Sequence, residues 1–499
     1  MVLNIKNYNC YFILSSFLII FEFILIKKGH WVGDFFEHSA VVNELSKNLF
    51  HPNNPIISSE IAHAFFSPYS FVTGFFSKVS GFNSIDSLAY FAFFNLIFFL
   101  YSLYVFSKSI FPKKYNLIAS LALIFIMFFW GKSPFVWSGF YHIFVLHYVL
   151  AYPSTFAVSL MLLTLGLVSK NKIKYYLVVI FCNAIVLISH PPTAVILFIS
   201  ICTMCFCFND YSLKRGIIKS FILIVPSVLL SFFWPYFNII DLFVGNKSTV
   251  DFHISSSLMY TDIFKRNWPI LLAIPSFIYS KKDSNVMFLA LTTVLLLLVY
   301  VAGYLFDFHG ISRVISGAML FSHLLIAYNT IYSLDELKIF NKFYLLFLIS
   351  TFLISISLNF SQLGKVVLSI LKEKDIEYHS KFSFLRKEVQ PNDIILSDTK
   401  SSWIIPSYNG KVISSSCSNG CKHPLYWVDN YQQRRTDVNS FFKKESSDSL
   451  RFVILQEYEP DYLLINYFNV DISCSTYEYL KSLSETIYEE NNLELLKLH

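Results

Sequence analysis

Charge is what this chain of 499 residues has least of: Asp, Glu, Lys and Arg make up 14% of it, against a hydrophobic content of 55%. Soluble domains carry about 25% charged residues. That deficit, a mean hydropathy of +0.53 and repeated apolar runs of near-spanning length exclude an ordinary water-soluble domain and specify a polytopic membrane protein. The net charge of +6 is small and scattered through short loops, so there is no basic face for nucleic acid. The sequence also has no H-E-x-x-H, P-loop, G-x-S-x-G or dinucleotide fingerprint. Internal repeats at a fixed period and low-complexity tracts are missing as well.

The eight cysteines divide by setting. Cys10, Cys182, Cys202, Cys205 and Cys207 sit in apolar runs, where Cys behaves as a small buried hydrophobe. Cys417, Cys421 and Cys474 lie in the polar C-terminal part, where an oxidising compartment would permit one disulfide among them. The pairing stays open, with Cys417 and Cys421 closest in sequence.

Residues 10–26 follow Lys6 and lack a small-residue cleavage site, which reads as an uncleaved signal anchor. A long polar segment follows to about residue 84. Within it, residues 34–49 have helical character with Val41, Val42, Leu45 and Leu49 on the apolar side, as expected of a helix lying on the membrane surface. Residues 62–76 are expected to form a second surface-lying or re-entrant helix. Further spans are expected near 85–107, 115–130, 151–169, 174–189, 192–208, 217–239, 268–280, 285–305, 312–332 and 342–360, about eleven in all.

Basic residues orient these spans. Lys108, Lys113 and Lys114, then Lys170, Lys172 and Lys174, then Lys214, Arg215 and Lys219, then Lys281 and Lys282, then Lys338 and Lys342 all fall on the side of the N-terminus, which makes that side cytoplasmic. The opposite side receives the 27–84 loop, the loop with His142 and His147, the His190-Pro191-Pro192 corner, the 240–267 loop and Asp307-Phe308-His309-Gly310 with Arg313. Residues 361–499 fall there too. They read as an α/β domain, with strands at 394–396, 411–413 and 462–465 and a polar helix at 431–442, so a mainly parallel sheet is expected. The expected domains are 1–360, a membrane domain including the 27–84 loop, and 361–499.

The polar residues closest to the first span are Gly33-Asp34-Phe35-Phe36-Glu37-His38. If Asp34 opens a helix, Asp34, Glu37 and His38 are neighbours at i, i+3 and i+4. Two readings stay open. Asp34 can be an N-cap completed by Glu37 as a capping box, although capping does not require His38. Alternatively, one carboxylate can act as general base toward a sugar hydroxyl attacking an anomeric carbon. The second reading needs a cation or donor for the leaving phosphate, and Arg313 with His309 or His190 would supply it. Arg313 can equally be a snorkelling span-end residue, and His190 part of a helix breaker. Asp34, Glu37 and His38 could also ligate a divalent metal, although no second ligand cluster accompanies them. With no nucleotide-binding fold, an activated sugar used outside the cytoplasm would arrive on a lipid.

In its acidic motif Gly33–His38 after span one, its many spans and its outer α/β domain, the chain resembles GT-C-type polytopic glycosyltransferases that use polyprenyl-phosphate sugars. The C-terminal stretches Asp398-Thr399-Lys400-Ser401-Ser402, Ile405-Pro406, Gly410-Lys411-Val412 and Arg434-Arg435-Thr436-Asp437 are similar to the tails of bacterial members. The layout is also similar to phage-type glucosyltransferases that modify O-antigen. The resemblance implies a multi-pass protein of a bacterial cytoplasmic (inner) membrane with a periplasmic C-terminal domain. It implies inverting transfer of a monosaccharide, such as glucose, from a polyprenyl-phosphate donor to a glycan or lipid-linked glycan, with Asp34 as base. Here the acidic spacing is Asp-x-x-Glu where other members have Asp-x-Asp or an adjacent pair, so Glu37 remains an alternative base. An O-antigen polymerase or ligase, or a lipid-linked glycan flippase, is the rival expectation; for a flippase the spans carry little charge beyond Glu22.

Overall fold

The computed structural model describes residues 10–29, 31, 34–59, 63–208, 212–240, 257–276, 283–336, 338–371, 378–415 and 430–499. Gly33, Lys281, Lys282, Cys417, Cys421 and most of the 240–267 loop lie outside the described residues. The first helices are α1 (Cys10–Lys28), α2 (Phe35–Lys47), α3 (Pro68–Ser80), α4 (Ser84–Ile110) and α5 (Tyr115–Phe128). Then come α6 (Pro153–Val168), α7 (Tyr176–Ser189), α8 (Pro191–Cys207), α9 (Leu213–Ser231), α10 (Ser284–Leu305), α11 (Val314–Asp335) and α12 (Ile339–Leu371). The C-terminal part holds β1 (Ile394–Ser397), β2 (Lys411–Val412), α13 (Tyr431–Phe441), α14 (Asp448–Tyr458), β3 (Tyr462–Asn466), α15 (Cys474–Ser482), β4 (Ser484–Glu490) and β5 (Leu493–Leu498).

The chain forms two compact units. One comprises Met1–Lys28, Phe91–Trp234 and His253–Lys372; the other comprises Gly29–Tyr90, Pro235–Phe252 and Glu373–His499. Among the described residues, five helical stretches are long and apolar enough to cross a membrane: Cys10–Lys28, Ser84–Ile110, Ser284–Leu305, His309–Asp335 and Ile339–Val366. Shorter apolar helices fill in between them, and the protein is a multi-pass membrane protein. Helix α11 is its hub, packed against α5, α8, α10 and α12 and buried along nearly its whole length. Gly317 permits the α8 contact, since a Cβ there would come within 2.6 Å of Ile196. The polar residues of α11 are matched internally: His323 Nε2 lies 2.9 Å from the Phe129 carbonyl and Asn329 Oδ1 accepts from Ser276 Oγ at 2.9 Å.

The expected span at 268–280 is corrected. It is described as far as Ser276, and from Trp268 to Ala273 it is a six-residue 3-10 helix and not an α-helix. The physical cause is Pro275, which has no N–H for the Leu271 carbonyl and whose ring blocks an α-turn; Ile274 N bonds to Leu271 O instead, in 3-10 fashion. The segment nevertheless travels far along the bundle. At one end Gly131 N donates to Arg266 O, 2.8 Å, beside the 133–138 loop that also contacts Arg313. At the other end Leu272 O and Ser276 meet Asn329. Asn329 lies about 24 Å beyond Arg313 on a helix rising 1.5 Å per residue. A 3-10 segment covers length with few residues because its rise is about 2.0 Å.

The second unit is a mixed sheet of order β2-β1-β3-β5-β4. Strands β2, β1 and β3 are parallel, with Ile394 opposite Lys411 and Ile395 opposite Tyr462. Strands β5 and β4 form an antiparallel hairpin joined to β3, so the expected mainly parallel sheet is parallel in its first three strands alone. The hairpin turns on Asn491 and Asn492, both with positive φ, the backbone a two-residue turn between twisted strands requires. Leu396, Leu463, Ile465 and Leu496 bury one sheet face under Val438, Phe441, Ile454 and Leu480.

Helix α2 belongs to this unit and is not a membrane-surface helix: Phe35 to Val42, Glu44 and Leu45 are all buried. Val41, Leu45 and Leu49 pack with Phe66. On the other side, Asn43 Nδ2 donates to the carbonyls of Pro406 and Tyr408, and Ser407 Oγ donates to Phe36 O at 2.9 Å. The expected helix at 62–76 is found at Pro68–Ser80, started by Pro68 and capped by Ser67, whose side chain accepts from Ser70 N. A residue preceding proline is kept out of the α region, which sets that boundary.

An ion pair joins α2 to the sheet edge. Lys411 Nζ lies 2.7 Å from Glu44 Oε2 and donates to Asn54 O at 2.7 Å, with both side chains buried. Glu44 Oε1 accepts from Asn53 N, 2.9 Å, and Val412 N donates to Ile56 O, 2.8 Å. The 53–57 loop thus covers the β2 edge, which would otherwise leave backbone groups unpaired. Burial pulls the Lys411 pKa down and the Glu44 charge partly restores it. Breaking a buried pair by removing one partner costs about 3–5 kcal/mol, whereas removing both is nearly neutral. Lys411→Met is therefore expected to lower the thermal midpoint of the purified protein in detergent markedly, and adding Glu44→Gln to recover most of the loss. Equal midpoints for wild type and Lys411→Met would contradict the role given to the pair.

Candidate functional site

Helix α2 is anchored at its start by aromatics. Trp31 stacks on Phe35 with ring centroids 4.1 Å apart and planes 3° from parallel. Asp34 precedes the first helical residue with φ −67° and ψ −1°, already helical, and its side chain makes no capping hydrogen bond. A capping side chain needs an extended backbone at that position, so the capping-box expectation is corrected. Asp34 is exposed, while Glu37 and His38 of the same face are buried, 3% and 5% exposed. The three predicted residues are thus together, Asp34 at the rim and the other two inside.

Two further groups meet them. Glu37 Oε1 is 3.6 Å from His63 Nε2, and the His38 ring stacks on Phe65 at 4.3 Å. Burial, reinforced by His63, pushes the His38 pKa down to about 3, and burial with the Lys411 charge drives His63 well below its ordinary value. Both imidazoles are therefore neutral at physiological pH. Tyr431, at the start of α13, donates to Ser415 O at 2.6 Å; burial raises its pKa and the Glu37 carboxylate adds to the rise. His63 and Tyr431 escaped the sequence reading because nothing in their local sequence marks them; Tyr431 comes to Glu37 from almost 400 residues away. Among the described residues no three His, Cys, Asp or Glu side chains converge as a metal site requires.

The predicted phosphate-binding residues belong to the other unit. Arg313 Nη1 donates to Ser138 Oγ at 2.8 Å and the guanidinium lies 5.4 Å from the Trp137 ring centroid. Arg266, not singled out from the sequence, repeats the arrangement: Nη1 donates to Ser133 O at 2.6 Å and the guanidinium sits 4.7 Å from the Phe135 ring. The two arginines bracket the 133–138 loop. Gly131 allows the close approach, because a Cβ there would fall 2.1 Å from Lys265 O. The signal in sequence was Lys265-Arg266 just ahead of Trp268-Pro269, a basic pair where an apolar run begins. His309 lies 3.8 Å from Asp307 Oδ1 and packs against Tyr260. His190 sits at the N-cap of α8 with Nδ1 2.7 Å from Thr193 Oγ1.

By sequence the chain matches no protein-family model and no curated protein. By structure it is similar to ArnT from Cupriavidus metallidurans bound to undecaprenyl phosphate, at 9% identity over 97% of each chain and a TM-score of 0.50. The apo form of that protein gives 11% identity over 97% of each chain and 0.49. The apo oligosaccharyltransferase of Archaeoglobus fulgidus gives 9%, with 87% of this chain and 66% of that one covered, and 0.49. This chain therefore spans about two thirds of the archaeal protein's length. The full-length likeness to undecaprenyl-phosphate-bound ArnT shows the fold, and the chain has the GT-C-type polytopic fold that the sequence resemblance implies.

The buried histidines make stability depend on pH. The folded pKa of His38 is depressed from 6.5 to about 3, so between those values the unfolded chain binds more protons. Its contribution is full above pH 6.5 and is lost as pH falls. Going from pH 7 to pH 5 is expected to remove about 2 kcal/mol through His38. His38→Phe, which keeps a ring against Phe65, should flatten the thermal midpoint against pH by that amount; an unchanged slope would mean that His38 is protonated in the folded protein.

Proposed function

We propose that this protein transfers a monosaccharide from a polyprenyl-phosphate carrier to a hydroxyl of a surface glycan or its lipid-linked precursor, at the periplasmic face of a bacterial cytoplasmic membrane. The observation that carries the reading is the Asp34 carboxylate, exposed at the start of α2 and not used as a cap. Behind it stand a buried Glu37 and two neutral histidines. The fold shared with a protein that binds undecaprenyl phosphate supports the choice of carrier.

In the proposed reaction, Asp34 accepts the proton of the acceptor hydroxyl as that oxygen attacks the anomeric carbon. The bond from this carbon to the phosphate oxygen breaks, its electron pair goes to the departing polyprenyl phosphate, and the anomeric configuration inverts. Arg313, helped by Arg266 and His309, offers charged donors to that phosphate; a guanidinium pairs with two phosphate oxygens at once. Glu37, buried and held to His63, positions the helix start and is the alternative base. His190 is bonded to Thr193 of its own helix and serves the phosphate more remotely. Glucose is the proposed sugar and O-antigen the proposed acceptor class, following the layout shared with phage-type glucosyltransferases.

Asp34→Asn is expected to lower transfer from a polyprenyl-phosphate glucose donor at least about 100-fold, the scale of a lost general base, with membrane insertion and thermal midpoint unchanged. Full activity in that variant sinks the assignment. Arg313→Ala should raise the donor KM and lower kcat, and Arg313→Lys should restore part of each. A variant with unaltered donor kinetics would remove Arg313 from the site.

A further inference from the structure

The membrane unit carries an open apolar groove that the proposed transfer does not use. It runs between α8 and α9, with Cys202 and Phe206 on one wall and Leu213, Ile217, Phe221 and Ile224 on the other, and holds about 320 Å³. The α9 residues recur every three or four positions, so they share one helix face. Leu213, Ile217 and Phe221 are 67%, 59% and 63% exposed, and so apolar a face in a multi-pass protein is solvated by hydrocarbon. Small residues make the floor: Gly216 and Ser220 line the groove and are buried. A Cβ on Gly216 would come within 3.1 Å of the Phe206 Cα, and Ser220 Oγ donates to Gly216 O at 2.8 Å. The lining is thus mainly hydrocarbon, with its hydroxyl already bonded.

One end of the groove is basic. Leu213 and Gly216 flank Lys214 and Arg215, both exposed, and Lys219 Nζ, one turn further along α9, donates to Asn171 Oδ1. That bond brings the 170–174 connection beside the start of α9; there Lys170 and Lys174 lie 5.4 and 5.2 Å from the Tyr175 ring centroid. Between positions 169 and 225 the sequence holds six basic residues, Lys170, Lys172, Lys174, Lys214, Arg215 and Lys219, against one acid, Asp210. An apolar groove that ends in gathered cations matches an amphiphile with an anionic head. It does not match a second copy of this chain, which would bring like charges together across a two-fold contact.

We propose that this groove binds an anionic phospholipid, with one acyl chain laid between α8 and α9 and the headgroup phosphate held by Lys214 and Arg215. The lysines of the 170–174 connection add to the attraction without entering the groove. A volume of about 320 Å³ is at the lower end of the ~300–1,000 Å³ typical of small-molecule sites, room for one chain and not for a whole lipid. The basic end lies on the side of the N-terminus, so in the orientation read from the loops the lipid belongs to the cytoplasmic leaflet. The transfer proposed above uses a carrier at the opposite face, and this inference does not rest on it.

The test is native mass spectrometry of the full-length protein released from detergent micelles, after titration with phosphatidylglycerol, phosphatidylcholine of the same acyl chains, and undecaprenyl phosphate. Phosphatidylglycerol is expected to bind at least about tenfold more tightly than phosphatidylcholine, because each basic residue beside an anionic headgroup is worth about fivefold. The double variant Lys214→Gln with Arg215→Gln should lose most of that preference. Ile217→Trp, which fills the groove from an exposed position, should weaken both phospholipids; if it also lowers the thermal midpoint, the double variant decides alone. Lys342→Gln, in another basic connection, should bind like wild type. Equal affinity for the two phospholipids overturns the inference, as does an unaltered preference in the double variant or an equal loss in Lys342→Gln. Tighter retention of undecaprenyl phosphate would make the groove a carrier site and overturn it. A lipid-free dimer that Ile217→Trp abolishes would assign the groove to a second copy and overturn it too.

Discussion

The pair between Glu44 and Lys411, 367 residues apart in sequence, is the interaction on which the second unit depends. It ties the helix that carries Asp34 to the edge strand of the C-terminal sheet, and each partner is satisfied beyond the pair, by Asn53 N–H and by the Asn54 carbonyl. Because the same loop closes the sheet edge through Ile56 and Val412, the first polar segment and the last domain fold as one body. The helix start is held from within that body and does not rest on lipid.

The environment built this way shapes the chemistry offered. Burial keeps His38 and His63 neutral beside Glu37, so no imidazolium neighbours that carboxyl group, and Asp34 is exposed at the rim. In the membrane unit the logic is reversed. There the charged groups are guanidiniums, each bonded to a loop oxygen and lying against an aromatic ring. A delocalised, weakly hydrated cation tolerates such an apolar setting better than an ammonium does.

How much could be seen in the sequence varied with the range of the interactions involved. Apolar runs marked α1, α4, α10, α11 and α12 because a spanning helix satisfies its backbone internally and needs no partner to be recognised. The strands β1, β2 and β3 were legible as short apolar runs between turn residues. The β4–β5 hairpin is hidden although Asn491-Asn492 announces its turn, since β4 is polar at most positions. The 268–280 segment has the composition of a span, and Pro269 and Pro275 are the signal that Trp268–Ala273 is not an α-helix. Helix α2 was placed on the membrane surface because its apolar stripe was visible and its second set of partners, Pro406 to Tyr408, was not.

At the candidate site, Asp34, Glu37 and His38 were findable because helical spacing alone makes them neighbours. Sequence by itself determined the membrane class, the position of the long helices, the α/β character of the tail and that local triplet, all of which follow from periodicity and near-neighbour chemistry. Only the tertiary structure decided that Asp34 is exposed while Glu37 and His38 are buried, that His63 and Tyr431 join them, and that Arg266 stands with Arg313. Burial and long-range pairing depend on which surfaces come together, and no local pattern of residues encodes that.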